Sequence, residues 1–335
     1  MDIAIVGEAW GEAEARERQA FIGKMSWRLK PMLEAAGIAP ADCYMTNVFN
    51  VKYNGKPEFF CGTKAEGIPG RKALGKSKYV LRQYEPELAR LASELLEVNP
   101  NLIIAAGNTP CWALLNTTGI GKLRGYTTVS THCVSGFKVL PTYHPAAVIH
   151  EPSLEPTVIM DFIKAKREAE YPEIRRPKRS IWIEPTLEDL YDFFERYIRD
   201  TSEILSIDIE TAGNQITCIG IAPGPRLALV VPFFDPRRKG RSYWDTKSAE
   251  CEAWLYVKRV LELPHRKLFQ NGLYDIAFLW RAYGIKVRGA EHDTMLLHHA
   301  LQPEALKGLG YLGSIYCDEG NWKHLRDVET IKRDD

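Results

Sequence analysis

The 335-residue sequence predicts two α/β domains in series. Three observations carry this expectation. Short apolar runs at Ile3–Val6, Cys43–Val48, Leu102–Ala106 and Lys138–Leu140 alternate with helical stretches, the pattern of a three-layer domain with a mainly parallel sheet. The stretch Tyr171-Pro172-Glu173-Ile174-Arg175-Arg176-Pro177-Lys178-Arg179 then breaks the pattern with two prolines and a basic run, and reads as an exposed tether. Beyond it, an acidic strand at 203–211 precedes runs at 217–222 and 226–232, a meander of three strands. The expected boundaries are 1–168 for the first domain, 169–179 for a basic linker and 180–335 for the second domain.

Composition narrows the class. At 45% hydrophobic and 26% charged residues the chain reads as soluble and globular. No run approaches a membrane span, and Met1-Asp2-Ile3-Ala4-Ile5-Val6 lacks the basic start and cleavage site of a signal peptide. Seven scattered cysteines make no disulfide framework, so a reducing cytoplasm is expected. The net charge of +1 decides nothing about nucleic acid, because cations can cluster locally.

The opening strand runs into Gly7-Glu8-Ala9-Trp10-Gly11-Glu12, placing two glycines at a strand's C-terminal end, where α/β folds gather ligands. This is neither a GxGxxG nor a P-loop, and nucleotide binding is unsupported. A helix over 26–36 closes on Gly37, and the strand Cys43–Val48 carries Asn47 near its end. Residues 52–79 are glycine-rich, with Lys52, Lys56, Lys64, Arg71, Lys72, Lys76 and Lys78 against Glu58 and Glu66. That pattern fits a solvated surface loop or a phosphate-contacting one. Helices at 85–98 and 109–115 flank the strand Leu102–Ala106, and Gly121-Lys122-Leu123-Arg124-Gly125 is a turn. The strand Lys138–Leu140 ends in Pro141-Thr142-Tyr143-His144-Pro145-Ala146-Ala147, ahead of a last helix at 155–168.

In the second domain a short strand at 181–184 precedes a helix over 187–199, capped by Thr186. The strand 203–211 alternates in character and ends in Asp208 and Glu210. Residues two apart on a strand share a face, so both carboxylates lean into one site. Such a pair is either solvated at a strand edge or holds a hard cation, Mg²⁺ or Mn²⁺, between its oxygens. The strand 267–270 runs into Asn271-Gly272-Leu273-Tyr274-Asp275, which opens a helix ending near Gly284 and places Asp275 at a junction suited to the same metal. His292-Asp293-Thr294-Met295-Leu296 reads as a helix cap. The loop 235–241, with Arg237, Arg238, Lys239 and Arg241, is a solvated loop or a nucleic-acid contact.

Ile5-Val6-Gly7-Glu8-Ala9, Phe21-Ile22-Gly23, Thr46-Asn47-Val48, Lys122-Leu123-Arg124-Gly125 and Pro141-Thr142-Tyr143-His144-Pro145-Ala146, in this order, resemble the uracil-DNA glycosylase superfamily. The likeness is to the thermophile-type branch, family 4, and covers about residues 1–165. It implies that Phe21 stacks on a flipped base, Asn47 bonds the base's edge, His144 stabilises the charge developing on uracil, and Glu8 positions the attacking water. It also implies that Ala146-Ala147-Val148-Ile149 wedges into the duplex. Two departures stand out. Trp10 occupies the place of a family proline. The family's iron–sulfur cluster uses four cysteines including an N-terminal Cys-x-x-Cys; the chain starts past that pair, and Cys43, Cys61, Cys111 and Cys133 do not reproduce the spacing, so no iron–sulfur cluster is expected.

Ser206-Ile207-Asp208-Ile209-Glu210-Thr211 and Asn271-Gly272-Leu273-Tyr274-Asp275 resemble the first two motifs of the DEDD 3′–5′ exonucleases, above all the proofreading domain of family A DNA polymerases. Asp293-Thr294-Met295-Leu296 falls at a family distance as well. The likeness covers about residues 180–335 and implies a ribonuclease H-like fold with two Mg²⁺ or Mn²⁺ ions held by Asp208, Glu210 and Asp275. The third motif, Tyr-x-x-x-Asp, is not found: Tyr283, Tyr311 and Tyr316 are followed four residues on by Val287, Ile315 and Gly320, and His324 has no Asp at a family spacing. It is expected beyond Asp335, which would leave the domain incomplete and this chain with little exonuclease activity of its own.

Together the two likenesses imply a replication and repair protein acting on DNA (single-stranded 3′ ends, uracil-containing or modified DNA), fused to a polymerase as in some large bacterial viruses, and working in the host cytoplasm. The alternative is a binding module whose first pocket reads bases without cutting and whose second domain is a docking surface.

Overall fold

The computed structural model describes residues 1–53, 57–201 and 204–317. The chain divides into two compact units, residues 177–309 and, enclosing them in sequence, 1–176 with 310–317. Lys56, Glu203 and His324 lie outside the described residues.

In the first unit the strands are β1 (Ile3–Trp10), β2 (Cys43–Lys52), β3 (Cys61–Gly62), β4 (Tyr79–Val80), β5 (Leu102–Ala106), β6 (Thr128–Val129) and β7 (Lys138–Thr142). The helices are α1 (Glu12–Glu17), α2 (Lys24–Ala35), α3 (Glu85–Val98), α4 (Asn108–Leu115), α5 (Ile120–Leu123), α6 (Pro145–His150) and α7 (Glu155–Glu168). The main sheet runs β2-β1-β5-β7-β6, parallel throughout except for the edge strand β6. Its central strands are near-continuous apolar runs because both faces are covered: Ile3, Ile5 and Ile104 pack with α2 and α7 residues, Ala4, Val6 and Ile103 with α3 and α4 residues. Parallel register aligns Gly7 with Asn47, so the polar residues predicted from sequence gather at one edge.

The second unit contains β8 (Ser180–Trp182), β9 (Leu205–Ala212), β10 (Gln215–Gly224), β11 (Leu227–Pro232), β12 (Lys267–Phe269) and β13 (Ala290–Asp293), with α8 (Leu187–Phe193), α9 (Lys247–Glu262), α10 (Gly272–Tyr283) and α11 (Thr294–Leu301). The order is β13-β12-β9-β10-β11-β8. β9, β10 and β11 form the antiparallel meander, and β12 and β13 add on parallel to β9, which is the ribonuclease H-like arrangement. β9 alternates as its sequence dictates: Ile207 and Ile209 enter the core, while Ser206, Asp208 and Glu210 stay exposed on the other face.

Three expectations are corrected. The predicted helix 187–199 keeps α-helical bonding only to Phe193 and widens over Phe194–Ile198, where the Arg199 amide reaches Phe194 O at 2.9 Å. The linker at 169–179 is not a free tether along its whole length, because buried Lys138 donates to Glu168 O (2.6 Å) and Glu173 O (3.0 Å). Finally, sequence assigns everything from 180 onward to the second domain, yet a last helix, α12 (Leu309–Tyr316), packs from Gly310 on within the first unit. Ser314 finds polar partners there, including Arg124.

Candidate active sites

The first site forms around Gly7. A Cβ there would stand 2.2 Å from Asn47 Oδ1 and 2.6 Å from the Phe21 ring, so only glycine lets both side chains close over β1 at this point. Phe21 adopts φ +54°, a conformation held by Glu14, whose two oxygens accept from the Gly11 amide (2.6 Å) and the Phe21 amide (2.5 Å). Burial pushes the Glu14 carboxyl up, against the pull of the Gly11, Phe21 and Ile22 amides. The Phe21 ring lies 6.3 Å from the His144 ring at an angle of 27°. Glu8 accepts from the Thr109 hydroxyl at 2.7 Å, across from β1 on α4. Glu8, Phe21, Asn47 and His144 are thus brought to one edge of the sheet.

His144 is the N-cap of α6, and its Nδ1 accepts from the Ala146 amide at 3.1 Å. A nitrogen that accepts carries no proton, which leaves the proton of a neutral ring on Nε2. Burial lowers the His144 pKa from its usual value, opposed by the Glu8 charge. The group is therefore a neutral donor at pH 7. Asn47 is 2% exposed, and its Nδ2 has no hydrogen-bond partner among the described residues. An unpaired buried donor costs about 1–3 kcal/mol and calls for an explanation. An acceptor on an incoming ligand provides one.

Other details refine the sequence reading. Ala146 to Ile149 is helix α6, not an open loop; Val148 belongs to the core, and only Ile149 presents a large apolar side chain outward. Arg71 does not reach for phosphate: it donates to Trp112 O (3.3 Å) and Ala113 O (3.0 Å), closing the end of α4. Cys43 packs on one face of the sheet and Cys61, Cys111 and Cys133 on the other, so the four do not share one place. Glu14, Thr109 and the buried pair Arg124–Asp161 were missed from sequence; the Gly11-x-x-Glu14 spacing was the only signal, that of a helix start.

In the second unit Asp208 and Glu210 lie on the exposed face of β9. Asp275, 6% exposed in the first turn of α10, accepts from the Ile209 amide at 3.1 Å. That amide is open because β12 pairs with β9 only at Leu205 and Ser206. Burial raises the Asp275 pKa, with the Asp293 and Glu210 charges adding and the Ile209 and Asp275 amides opposing. Among the described residues no group of three or more His, Cys, Asp or Glu stands ready to hold a metal ion. The donor chemistry of the exposed pair still suits a hard cation, while Asp275 is turned to the backbone. Asp293 is structural, as expected: it accepts from Gly272 (2.7 Å) and Asn271 (3.1 Å) at the start of α10 and from Met295 (2.8 Å) on α11. Although burial alone would raise its pKa, these amides hold it below the usual carboxylate value. In the basic loop, Arg237 pairs with Asp235 and Glu184, and Arg238 with Asp245.

Residues 1–168 match the profile of the Uracil DNA glycosylase superfamily. The chain belongs to that superfamily. Over about half its length it is 29% identical to the type-4 uracil-DNA glycosylase of Saccharolobus solfataricus, covering 70% of that protein, and 27% identical to the one of Archaeoglobus fulgidus, covering 74%. A DNA polymerase of Bacillus phage SP01 matches 99% of the chain at 25% identity, and the chain spans 36% of that polymerase's length. Among solved structures, the EXD2 exonuclease domain soaked in Mn and Mg aligns with 40% of this chain and 67% of its own at 18% identity, with a TM-score of 0.27, too low to carry an argument. In this superfamily member no described helix is long and apolar enough to cross a membrane.

Proposed function

We propose that the first unit excises uracil from DNA. The observation that carries this reading is the buried, unpaired Nδ2 of Asn47 beside Phe21 and a neutral His144. In the proposed reaction the flipped base stacks on Phe21, Asn47 donates to its carbonyl edge, and Nε2 of His144 donates to the oxygen on which charge develops as the glycosidic bond breaks. A neutral imidazole can fill this role by hydrogen bonding alone, keeping its proton as charge develops on the base. Glu8, held by Thr109, orients the water that attacks the sugar carbon.

For the second unit we propose metal-dependent 3′–5′ hydrolysis of single-stranded ends, as part of a phage-type family A polymerase acting in the host cytoplasm; the match of 99% of this chain to part of a phage DNA polymerase supports the association. Asp208 and Glu210 would hold Mg²⁺ or Mn²⁺, which supplies an activated water and offsets charge on the leaving oxygen. Asp275, fixed by the Ile209 amide, would position the pair rather than the ion. A second reading, in which this unit is a docking surface without catalysis, draws on the same hydrogen bond and on the lack of a three-ligand group among the described residues. End-labelled DNA with and without uracil, incubated with Mg²⁺ or EDTA and then treated with alkali, separates the outcomes. Alkali-labile breaks only in uracil-containing strands support excision, and Mg²⁺-dependent shortening from the 3′ end supports the exonuclease. Intact DNA in every lane would leave the binding module.

A further inference from the structure

The chain leaves the first unit and returns to it at one place. On the way out, Lys138 Nζ bonds Glu173 O, and the Arg176 guanidinium donates to Thr127 O at 3.3 Å. On the way back, the Tyr126 hydroxyl donates to Gly310 O. Exit and return are fastened at neighbouring residues, so residues 177–309 are an insertion in the first unit. The returning helix α12 is held firmly. Arg124 Nη1 donates to Ser314 Oγ at 2.7 Å, the Thr157 and Tyr311 hydroxyls meet at 2.7 Å, and Lys164 Nζ donates to Ser314 O (3.3 Å) and Cys317 O (2.6 Å). Ser314 is 1% exposed. Gly125, at φ +75°, admits the helix this closely: a Cβ there would come within 2.9 Å of Ser314 O.

We propose that α12 is a positioning element of the glycosylase-like site, reaching His144 through a buried polar chain. Ser314 Oγ accepts from Arg124, and Arg124 Nε donates to Asp161 Oδ2 at 3.0 Å. The same Asp161 oxygen accepts from Thr142 Oγ1 at 2.7 Å. Thr142 ends β7, two residues before His144, and its carbonyl accepts from the Gly107 amide at 2.9 Å. Without the helix, a buried guanidinium would lose an acceptor and water would reach the Asp161 pair, loosening the carboxylate that holds Thr142 at the end of β7. The glycosylase activity thereby depends on chain that follows the inserted unit. The effect on base release rests on the excision reading; the effect on the β7 end does not.

The test uses the full chain with Ser314→Ala, followed by hydrogen exchange across residues 142–147 and by kcat and KM for uracil release. Exchange over 142–147 is expected to speed up about tenfold, as loss of one bond to a buried charge allows, and kcat to fall about tenfold with KM within about twofold. If Ser314→Ala unfolds the unit, Tyr311→Phe, which deletes only the hydroxyl facing Thr157, carries the same exchange readout. Unchanged exchange over 142–147, or a loss of protection spread evenly over the first unit, would overturn the proposal. Wild-type chain that releases no uracil, with the local acceleration still seen in Ser314→Ala, sinks the excision reading alone.

Discussion

Replacing Asn47 by leucine sets stability against activity in a measurable way. Leucine has nearly the shape of asparagine, so the contact with Gly7 and Phe21 is largely kept, while the unpaired Nδ2 disappears. Removing an unsatisfied buried donor returns about 1–3 kcal/mol, and any bond that Oδ1 makes takes back about 1 kcal/mol. The net is about 0–2 kcal/mol in favour of the variant. At about 2–4 °C per kcal/mol for a unit of this size, Tm should hold or rise by up to about 8 °C. Base release should fall by about two orders of magnitude or more, because a site built to bond a polar edge loses its donor. Thermal unfolding followed by circular dichroism and alkali cleavage of uracil-containing DNA give the two numbers. A Tm lowered by several degrees with undiminished release would refute the assignment of that amide to ligand recognition.

Three further outcomes follow from the geometry. Gly7→Ala should cost about 1–3 kcal/mol and abolish release, since the new methyl must displace both Asn47 and Phe21; urea unfolding reads the first effect. His144 has a folded pKa below its usual 6.5, so the unfolded chain binds the extra proton first: its contribution to stability is complete above about pH 6.5 and is lost as pH falls toward the folded pKa. Urea midpoints between about pH 5 and 8 should show that slope, and His144→Gln should flatten it. Asp275→Asn keeps an acceptor for the Ile209 amide and removes a carboxyl already pushed up, so Tm should change by less than about 2 °C, whereas Asp208→Asn should abolish Mg²⁺ binding seen by titration calorimetry; a Mg²⁺ affinity untouched by Asp208→Asn would remove the metal from this unit.

Much of this architecture is legible in the sequence. Apolar runs buried on both faces marked β1 and β5 because a parallel sheet leaves them no polar side, and the strict alternation of Ile207, Asp208, Ile209 and Glu210 gave both the strand and the facing of its acids. Four residues scattered from Glu8 to His144 could be joined through short motifs, since parallel strands deliver their C-terminal loops to one edge. What escaped were side chains whose partners are far away in sequence. Arg124 sits in a recognisable turn motif but nothing there names its partners, Asp161 and Ser314 carry no local pattern, and a basic residue such as Arg71 looks the same in a string whether it faces solvent or two carbonyls of α4. Helix α12 escaped for a related reason: nothing in its eight residues says which unit it will pack with.

The commitments of the arginines also bear on how DNA affinity should respond to ionic strength. Each cation that neutralises a phosphate releases condensed counterions and steepens the fall of log K with log salt by about 0.9 on duplex DNA and about 0.7 on single strands. Arg71, folded against Trp112 and Ala113, and Arg237 and Arg238, neutralised by their own acids, are withdrawn from that count. On the proposed reading, a chain so furnished would hold DNA with fewer charges than its arginine-rich loops advertise, and its grip should persist into salt concentrations at which a strongly cationic binder lets go.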